Sequence, residues 1–169
     1  HASCGKTMLA EAMLMCGGVI GRLGSVAEGS TASDYHEDER ERQISMHTSL
    51  LRVEWEGKKF NVLDTPGYAD FVCETLGALR VADLALVVVH AVDGVLVGTD
   101  KQWEIAGSNG LPRFIVVNGV DREHVNFEAV LEQARKHYGE RVLPMTLPLD
   151  PGPGCHRFLD VMRSKVVEY

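Results

Sequence analysis

The sequence predicts an α/β domain whose sheet is mostly parallel. Two unbroken apolar runs, LALVVV at 84–89 and FIVV at 114–117, have the composition of strands that are covered on both faces. Segments with helical spacing or strong helix formers alternate with these runs. Because ligands bind beyond the carboxyl ends of strands in such sheets, we expect the functional residues in the loops that follow strands.

Composition and length indicate one globular domain. The chain has 169 residues, of which 45% are hydrophobic and 24% charged, so a packed core is expected. The formal charge of -7 and the sequence pI near 5.5 exclude a broad basic face for nucleic acid and leave room for a local RNA contact. The four cysteines form no C-x-x-C pair, which predicts reduced thiols rather than zinc or disulfides. No apolar run approaches the ~18 residues that span a bilayer, and no signal peptide is evident, so a cytoplasmic protein is expected.

The elements follow in order along the chain. Strong helix formers predict a first helix over Thr7 to Cys16, and the polar stretch from Val19 to Arg42 predicts a long mobile loop. Apolar and charged residues alternate before the sequence EGKK and an extended segment follows it, which predicts a hairpin. Apolar residues then recur at helical spacing from Val72 to Leu79. Further helices are expected at 99–108 and 127–138, with an extended segment at 142–149. The spacing of Leu159, Met162 and Val166 predicts a last helix.

The opening HASCGKT has most of the pattern G-x-x-x-x-G-K-[ST] and lacks only its first glycine. In this pattern, backbone amides cradle phosphate, a lysine lies between the outer phosphates, and a hydroxyl ligates Mg²⁺. Lys6 and Thr7 supply the last two groups here. A chance G-K-T at a helix start remains open for this tripeptide taken alone.

Two further elements follow strands. The D-x-x-G element at Asp64 to Gly67 would place a carboxylate near Mg²⁺ and a backbone amide near the γ-phosphate, although a Pro-Gly turn is its simpler interpretation. Asn118 and Asp121 form an N-x-x-D element, in which the carboxylate can accept the ring and exocyclic N–H groups of guanine. Alone, that element is most often a turn. The order and position of the three elements make them specific together.

The chain resembles the GTPase domain of translation factors, most closely that of elongation factor G and its paralogues. HASCGKT resembles GHxxxGKT, DTPGYADF resembles DTPGHVDF, and VVNGVD resembles VVNKMD. ERQISM resembles ERGITI in the first switch. VLPMTLPL and FLDVMRSKVVEY resemble the start of the insert found in that factor.

The resemblance implies a P-loop NTPase fold, that of a Ras-like GTPase domain with helices on both faces of a mostly parallel sheet. It divides the chain into a GTP-binding domain at 1–140, which lacks its first strand, and the start of the insert at 141–169. The family's first strand lies between the strands that end at Leu63 and begin near Leu84. We therefore expect a piece of a longer chain, which stops before the last base-contacting loop and the later domains.

The resemblance also implies site residues. The first switch would be Val19 to Met46, with Ser45 in place of a threonine that meets Mg²⁺. The predicted catalytic residues are Lys6, Gly67 and Tyr68, and the predicted metal ligands are Thr7, Ser45 and Asp64. The predicted nucleotide-binding residues are His1, Ala2, Ser3, Cys4, Gly5, Lys6, Thr7, Asp64, Thr65, Pro66, Gly67, Asn118 and Asp121.

Two positions depart from the family pattern. Tyr68 stands where the family has the histidine that orients the attacking water, and a phenol with a pKa near 10 is a weak base at pH 7. Slow or differently activated hydrolysis is therefore expected. Gly119 replaces a lysine whose stem lies over the base, which predicts weaker binding that is still selective for guanine.

Three functions stay open at this point. The first is a GTPase of the elongation factor G type that uses GTP/GDP and Mg²⁺, acts as a monomer and couples hydrolysis to translocation. Its partners would be ribosomal RNA and ribosomal proteins, with no DNA and no membrane. The second is a GTP- or GDP-gated ribosome-binding module with little hydrolysis. The third is a different P-loop enzyme, such as an adenine-specific ATPase or kinase.

Overall fold

The computed structural model describes residues 1–169. The helices are α1 (Lys6–Cys16), α2 (Glu37–Arg42), α3 (Val72–Leu79), α4 (Val97–Ser108) and α5 (Phe127–Tyr138). The strands are β1 (Ser49–Trp55), β2 (Lys58–Asp64), β3 (Ala85–His90), β4 (Arg113–Asn118), β5 (Thr146–Pro148), β6 (Arg157–Asp160) and β7 (Lys165–Glu168). A 3₁₀ turn, Ala69–Phe71, leads into α3.

The chain divides into two compact units, each described by itself. The first comprises His1–Ala85 and Glu104–Phe114, and the second comprises Leu86–Trp103 and Ile115–Tyr169. The sheets are small: β1 pairs with β2, β3 pairs with β4, and β5, β6 and β7 form a three-stranded sheet.

The first unit is built on the predicted hairpin, which is confirmed. β1 and β2 pair antiparallel, and the turn residues Glu56 and Gly57 both have positive φ, as a two-residue turn of the primed type requires. The inward side chains of β1, Leu51 and Val53, pack against α1 in a buried apolar cluster. This packing fixes the start of α1 relative to the end of β2, which is where the candidate site lies.

The second unit contains most of the pair β3 and β4, whose apolar runs the sequence predicts. The N–H of Ala85 donates to Pro112 O at 3.0 Å and the N–H of Ala91 donates to Asn118 O at 2.8 Å. Residue numbers increase in the same direction on both strands, from Ala85 to Ala91 and from Pro112 to Asn118, so the strands run parallel. Their carboxyl ends therefore lie side by side at His90 and Asn118.

The predicted loop from Val19 to Arg42 ends in a helix that the periodicity does not reveal. α2 has the sequence EDERER and no apolar stripe, so no hydrophobic period marks it. Its order comes from Glu39, which is buried and accepts hydrogen bonds from three backbone amides. A helix held by a buried carboxylate has no signature in the hydrophobic pattern.

The predicted last helix is wrong. Leu159 and Val166 are direct partners in the antiparallel pair of β6 and β7. The turn between the strands is closed by the N–H of Arg163, which donates to Asp160 Oδ1 at 2.9 Å, and Ser164 has a φ of 52°. A spacing of three and four residues also arises when a turn joins two short strands, so the helical interpretation was not unique.

None of the helices combines the length and apolar character that would let it cross a bilayer.

Candidate functional site

The opening loop has the geometry of an anion-binding site. Ser3 and Gly5 have φ values of 58° and 88°, and Gly5 caps α1 in the left-handed conformation. When successive residues alternate between positive and negative φ, their N–H groups point to the same side of the chain. The first amides of α1 also have no hydrogen-bond partner within the helix. The Nζ of Lys6 bends back over the loop and donates to His1 O at 2.9 Å. A positive charge and several amides therefore surround one small space.

The three residues predicted as metal ligands lie together. The hydroxyls of Thr7 and Ser45 share a hydrogen bond of 3.2 Å. Asp64 is 5% exposed at the end of β2, and its Oδ2 has no hydrogen-bond partner. Burial raises the pKa of Asp64, and the hydroxyls of Thr7 and Ser33 oppose that rise. Two hydroxyls beside an unpartnered carboxylate oxygen fit a hard divalent cation such as Mg²⁺.

A fourth residue, Asp34, belongs to this group and was missed by sequence reasoning. It is 3% exposed, its Oδ2 has no hydrogen-bond partner, and burial raises the pKa of its carboxyl while the Ser45 hydroxyl opposes that rise. Asp34 lines the same cavity as Thr7 and Ser45. A single aspartate in a polar loop carries no signal in the sequence, so only the folded chain reveals it.

Two buried glutamates shape the segment that carries Asp34 and Ser45. Glu11 on α1 accepts from the N–H of Gly24 at 2.8 Å and from the N–H of Ala32 at 2.5 Å. Glu39 Oε1 accepts from the N–H groups of Met46 and His47, each at 2.9 Å. Both carboxylates are 1% exposed. Each satisfies amides of a segment without regular structure, and Glu39 does so immediately after Ser45.

Gly67 approaches the opening loop so closely that no side chain fits there. A Cβ built on Gly67 would lie 2.5 Å from Lys6 Nζ and 2.6 Å from Ala2 Cα. Its backbone therefore lies against the residues that surround the anion-binding space. Thr65 and Pro66 precede it, and the Thr75 hydroxyl on α3 donates to Pro66 O at 3.4 Å.

The opening loop, the start of α1, the segment before β1 and the residues Gly67 and Tyr68 line one cavity of about 240 Å³ in the first unit. Tyr68, which is 43% exposed, stands at its wall together with Gly67. The remaining wall residues come from the opening loop and its helix and from the segment before β1: Ala2, Ser3, Gly5, Lys6, Thr7, Met8, Val26, Asp34, Gln43, Ile44 and Ser45. Cys4 is buried behind the loop, where its Sγ donates to His1 O at 2.9 Å.

Residues 118–122, here called the base loop, lie in the second unit. Asn118 ends β4, and Asp121 is exposed three residues later. The N–H of Arg122 donates to Gly119 O at 3.2 Å, which closes the turn, and the N–H of Gly152 donates to Val120 O at 2.8 Å. Asn118 and Asp121 thus occupy one ordered loop at the carboxyl end of a strand, as predicted.

Comparisons with known proteins agree with this geometry. Residues 1–164 match the family described as the elongation factor Tu GTP binding domain. The chain is 40% identical over 148 residues to an elongation factor G-like protein of Mycobacterium tuberculosis strain H37Rv, covering 88% of this chain and 21% of that protein. It is 35% identical over 173 residues to the mitochondrial ribosome-releasing factor 2 of Lodderomyces elongisporus, covering 100% of this chain and 21% of that protein.

A solved structure agrees as well. A crystal structure of a protein from Thermus thermophilus superimposes with a TM-score of 0.94 at 40% identity, covering 100% of this chain and 25% of that chain. The predicted fold, a P-loop domain of the translational GTPase type, is therefore confirmed. The chain spans about a fifth of the length of the curated relatives it matches. It belongs to the elongation factor Tu GTP binding domain family, and its relatives include an elongation factor G-like protein and a mitochondrial ribosome-releasing factor 2.

Proposed function

We propose that this chain binds and hydrolyses GTP as part of a translation factor of the elongation factor G type. The observation that carries this proposal is the convergence of Thr7, Ser45 and Asp64 beside Lys6 and Gly67. We further propose residues 1–140 as the GTP-binding domain and 141–169 as the start of the insert. The family membership and the names of the relatives support the proposed GTP-binding role.

The opening loop would hold the triphosphate. Its main-chain nitrogens at His1, Ala2, Ser3, Cys4 and Gly5 would donate to phosphate oxygens, and the Lys6 ammonium would neutralise the outer charges. Lys6 Nζ donates to the carbonyl of His1, and Lys6 lines the same cavity, so it would need to change its partner more than its position when phosphate binds. The loop is thus already shaped for its ligand.

Thr7 and Ser45 would ligate Mg²⁺ through their hydroxyls, and Asp64 and Asp34 would hold its water ligands. When bound, Mg²⁺ neutralises the charge that develops on the phosphate oxygens. The buried carboxylates support this assignment, because each has an oxygen without a partner and is destabilised in its charged form by burial. A cation would relieve that cost.

Hydrolysis would depend on Gly67 and Tyr68. The amide of Gly67 would donate to the γ-phosphate, which its close approach to Lys6 supports. Tyr68 lines the cavity but offers a phenol in place of an imidazole, so it can orient a water through its oxygen but is a poor general base. We propose slow hydrolysis that the ribosome stimulates.

The base loop would select guanine. Asp121 would accept the ring and exocyclic N–H groups of guanine, and Asn118 would tie the loop to the base. Adenine lacks that donor pair. Replacing Asp121 with Asn should move the preference from GTP to XTP; unchanged affinities for both nucleotides would show that this loop does not read the base.

For the biological role, we propose that hydrolysis is coupled to ribosomal translocation by a monomeric factor in the cytoplasm, with ribosomal RNA and proteins as partners and neither DNA nor membrane. A second candidate is a GTP- or GDP-gated ribosome-binding module with little hydrolysis, which the exposed Tyr68 in the cavity wall favours. Because one relative is named as a mitochondrial protein, cell fractionation is the experiment that tests the proposed compartment.

Single-turnover GTP cleavage by the intact protein, with ribosomes present, separates these two roles. Tyr68→His should raise the cleavage rate if the phenol limits hydrolysis, and Tyr68→Phe should lower it further. An unchanged rate in the histidine variant would show that Tyr68 does not limit the step. No detectable cleavage by the natural protein, together with tight GTP-dependent ribosome binding, would favour the binding module.

A further inference from the structure

The base loop has no side chain at Gly119, and the ring of His90 lies against the space where one would begin. We infer that His90 is a nucleobase-contacting residue and takes the place of the side chain that Gly119 lacks. This inference rests on the proposed function, because it assumes that the base loop binds a guanine base.

The position of His90 follows from the strand pair. His90 is the last residue of β3, and the next residue, Ala91, donates its N–H to Asn118 O at 2.8 Å. This bond holds the end of β3 against the end of β4, where the base loop begins. His90 is therefore placed beside the base loop by the main chain rather than by a flexible side-chain contact.

The imidazole of His90 lies between Asp93 and the base loop. His90 Nδ1 lies 3.3 Å from Asp93 Oδ2, and the side chain is 25% exposed. The opposite ring edge faces the base loop: a Cβ built on Gly119 would lie 3.1 Å from His90 Nε2 and 3.4 Å from His90 Cδ2. A half-buried ring with one edge near Asp93 thus presents its other edge to the position where a side chain of residue 119 would begin.

This arrangement explains why glycine and histidine occur together. A longer side chain at position 119 would meet the ring of His90, and Gly119 has a φ of 74°, which glycine adopts without strain. An imidazole has a flat π-face on which a purine can stack, much as a base packs on other aromatic rings. In this chain, His90 at the end of β3 would therefore make the contact with the nucleobase that a side chain at position 119 would otherwise make.

A double-mutant cycle of GDP affinity in the intact protein tests the inference. His90→Ala should weaken GDP binding about tenfold, whereas His90→Phe should keep most of it, because it keeps a flat ring. Gly119→Lys alone should not strengthen binding, since the ring blocks the new side chain. Gly119→Lys combined with His90→Ala should restore affinity toward the natural value, which a merely structural histidine would not produce.

His137→Ala is the matched control, because His137 lies on α5 and pairs with Asp100 instead of the base loop. It should leave GDP affinity unchanged. The inference is overturned if His90→Ala binds GDP as the natural protein does, or if Gly119→Lys has the same effect in both backgrounds. If the natural protein binds no guanine nucleotide at all, the proposed function fails instead, so the two failures are distinguishable.

Discussion

The hydroxyl oxygens of Thr7 and Ser45 lie 3.2 Å apart although 38 residues separate them in the chain. Thr7 lies in the first turn of α1, whereas Ser45 follows α2 in a segment without regular structure. Their meeting is therefore not a local effect of either motif. It depends on the buried carboxylates that fold the intervening segment, and on the packing of α1 against the hairpin.

Ser45→Ala tests this pairing. Loss of one hydroxyl ligand should raise the Mg²⁺ concentration needed for half-maximal GTP binding about tenfold, since a hydrogen bond or ligand to a charged group contributes ~1.5 to 3 kcal/mol. Ser45→Thr should behave like the natural protein, because it keeps the hydroxyl. The measurement is GTP retention by the intact protein over a range of Mg²⁺ concentrations. An unchanged Mg²⁺ requirement in Ser45→Ala would remove this residue from the metal site.

Glu39 should act on the metal site through Ser45. Glu39→Ala would leave the amides of Met46 and His47 without their acceptor, at a cost of ~1 to 3 kcal/mol each when they stay buried. We expect a higher Mg²⁺ requirement for GTP binding and partial rescue by Glu39→Gln, which keeps an acceptor oxygen. The preference for guanine over adenine should not change.

Glu37→Gln on the same short helix is the control for that experiment, because Glu37 is exposed. It should match the natural protein in both stability and Mg²⁺ requirement. If Glu39→Ala lowers stability yet leaves the Mg²⁺ requirement as it was, Glu39 has a structural role only.

The close approach of Gly67 to the opening loop predicts a specific defect. Gly67→Ala would place a methyl group against Lys6 Nζ and the main chain of Ala2, so the backbone amide must move away. We expect a loss of hydrolysis of about a hundredfold, the size seen when one backbone or side-chain donor to a transition state is lost. Single-turnover GTP cleavage measures it.

Gly77→Ala provides the matched substitution. Gly77 lies in α3, and a Cβ there would meet nothing within 4 Å. It should stabilise the protein by roughly 0.5 to 1 kcal/mol, because alanine favours helix, and leave cleavage unchanged. Equal rates in both alanine variants would contradict the role assigned to Gly67.

Tyr138 predicts a loss of stability at alkaline pH. Burial raises the pKa of its phenol, and its hydrogen bond to the Asp100 carboxylate raises it further. The unfolded chain releases this proton near pH 10, whereas the folded chain keeps it. The contribution of Tyr138 is therefore complete below pH 10 and is lost as the pH rises from there toward the folded pKa, by up to ~1.4 kcal/mol per pH unit.

Urea unfolding at pH 8 and pH 11 tests whether the free energy of unfolding falls with rising pH as predicted. Tyr138→Phe should lose less unfolding free energy between the two values than the natural protein does. Tyr169→Phe is the control, because Tyr169 is 86% exposed and should leave the difference unaltered. An equal loss in the natural protein and in Tyr138→Phe would show that Tyr138 ionises alike in both states.

The sequence was sufficient for features that a short segment determines. Gly5, Lys6 and Thr7 form a turn and a helix start by themselves, and the hairpin follows from alternation around a glycine turn. Buried acidic residues were not predictable, because Glu11 looks like a solvated helix position and Glu39 like part of a polar loop until long-range backbone amides reach them. The last helix was mistaken because apolar spacing alone does not separate a helix from two strands joined by a turn.

Equilibrium titration of the intact protein with GTP and with ATP, each with and without Mg²⁺, is the decisive test of a guanine-selective, Mg²⁺-dependent nucleotide site. GTP should bind at least about tenfold more tightly than ATP, because sites that hydrogen-bond a ligand's polar groups discriminate strongly, and Mg²⁺ should strengthen GTP binding. Equal affinity for the two nucleotides, or GTP binding that is indifferent to Mg²⁺, would contradict the proposed site.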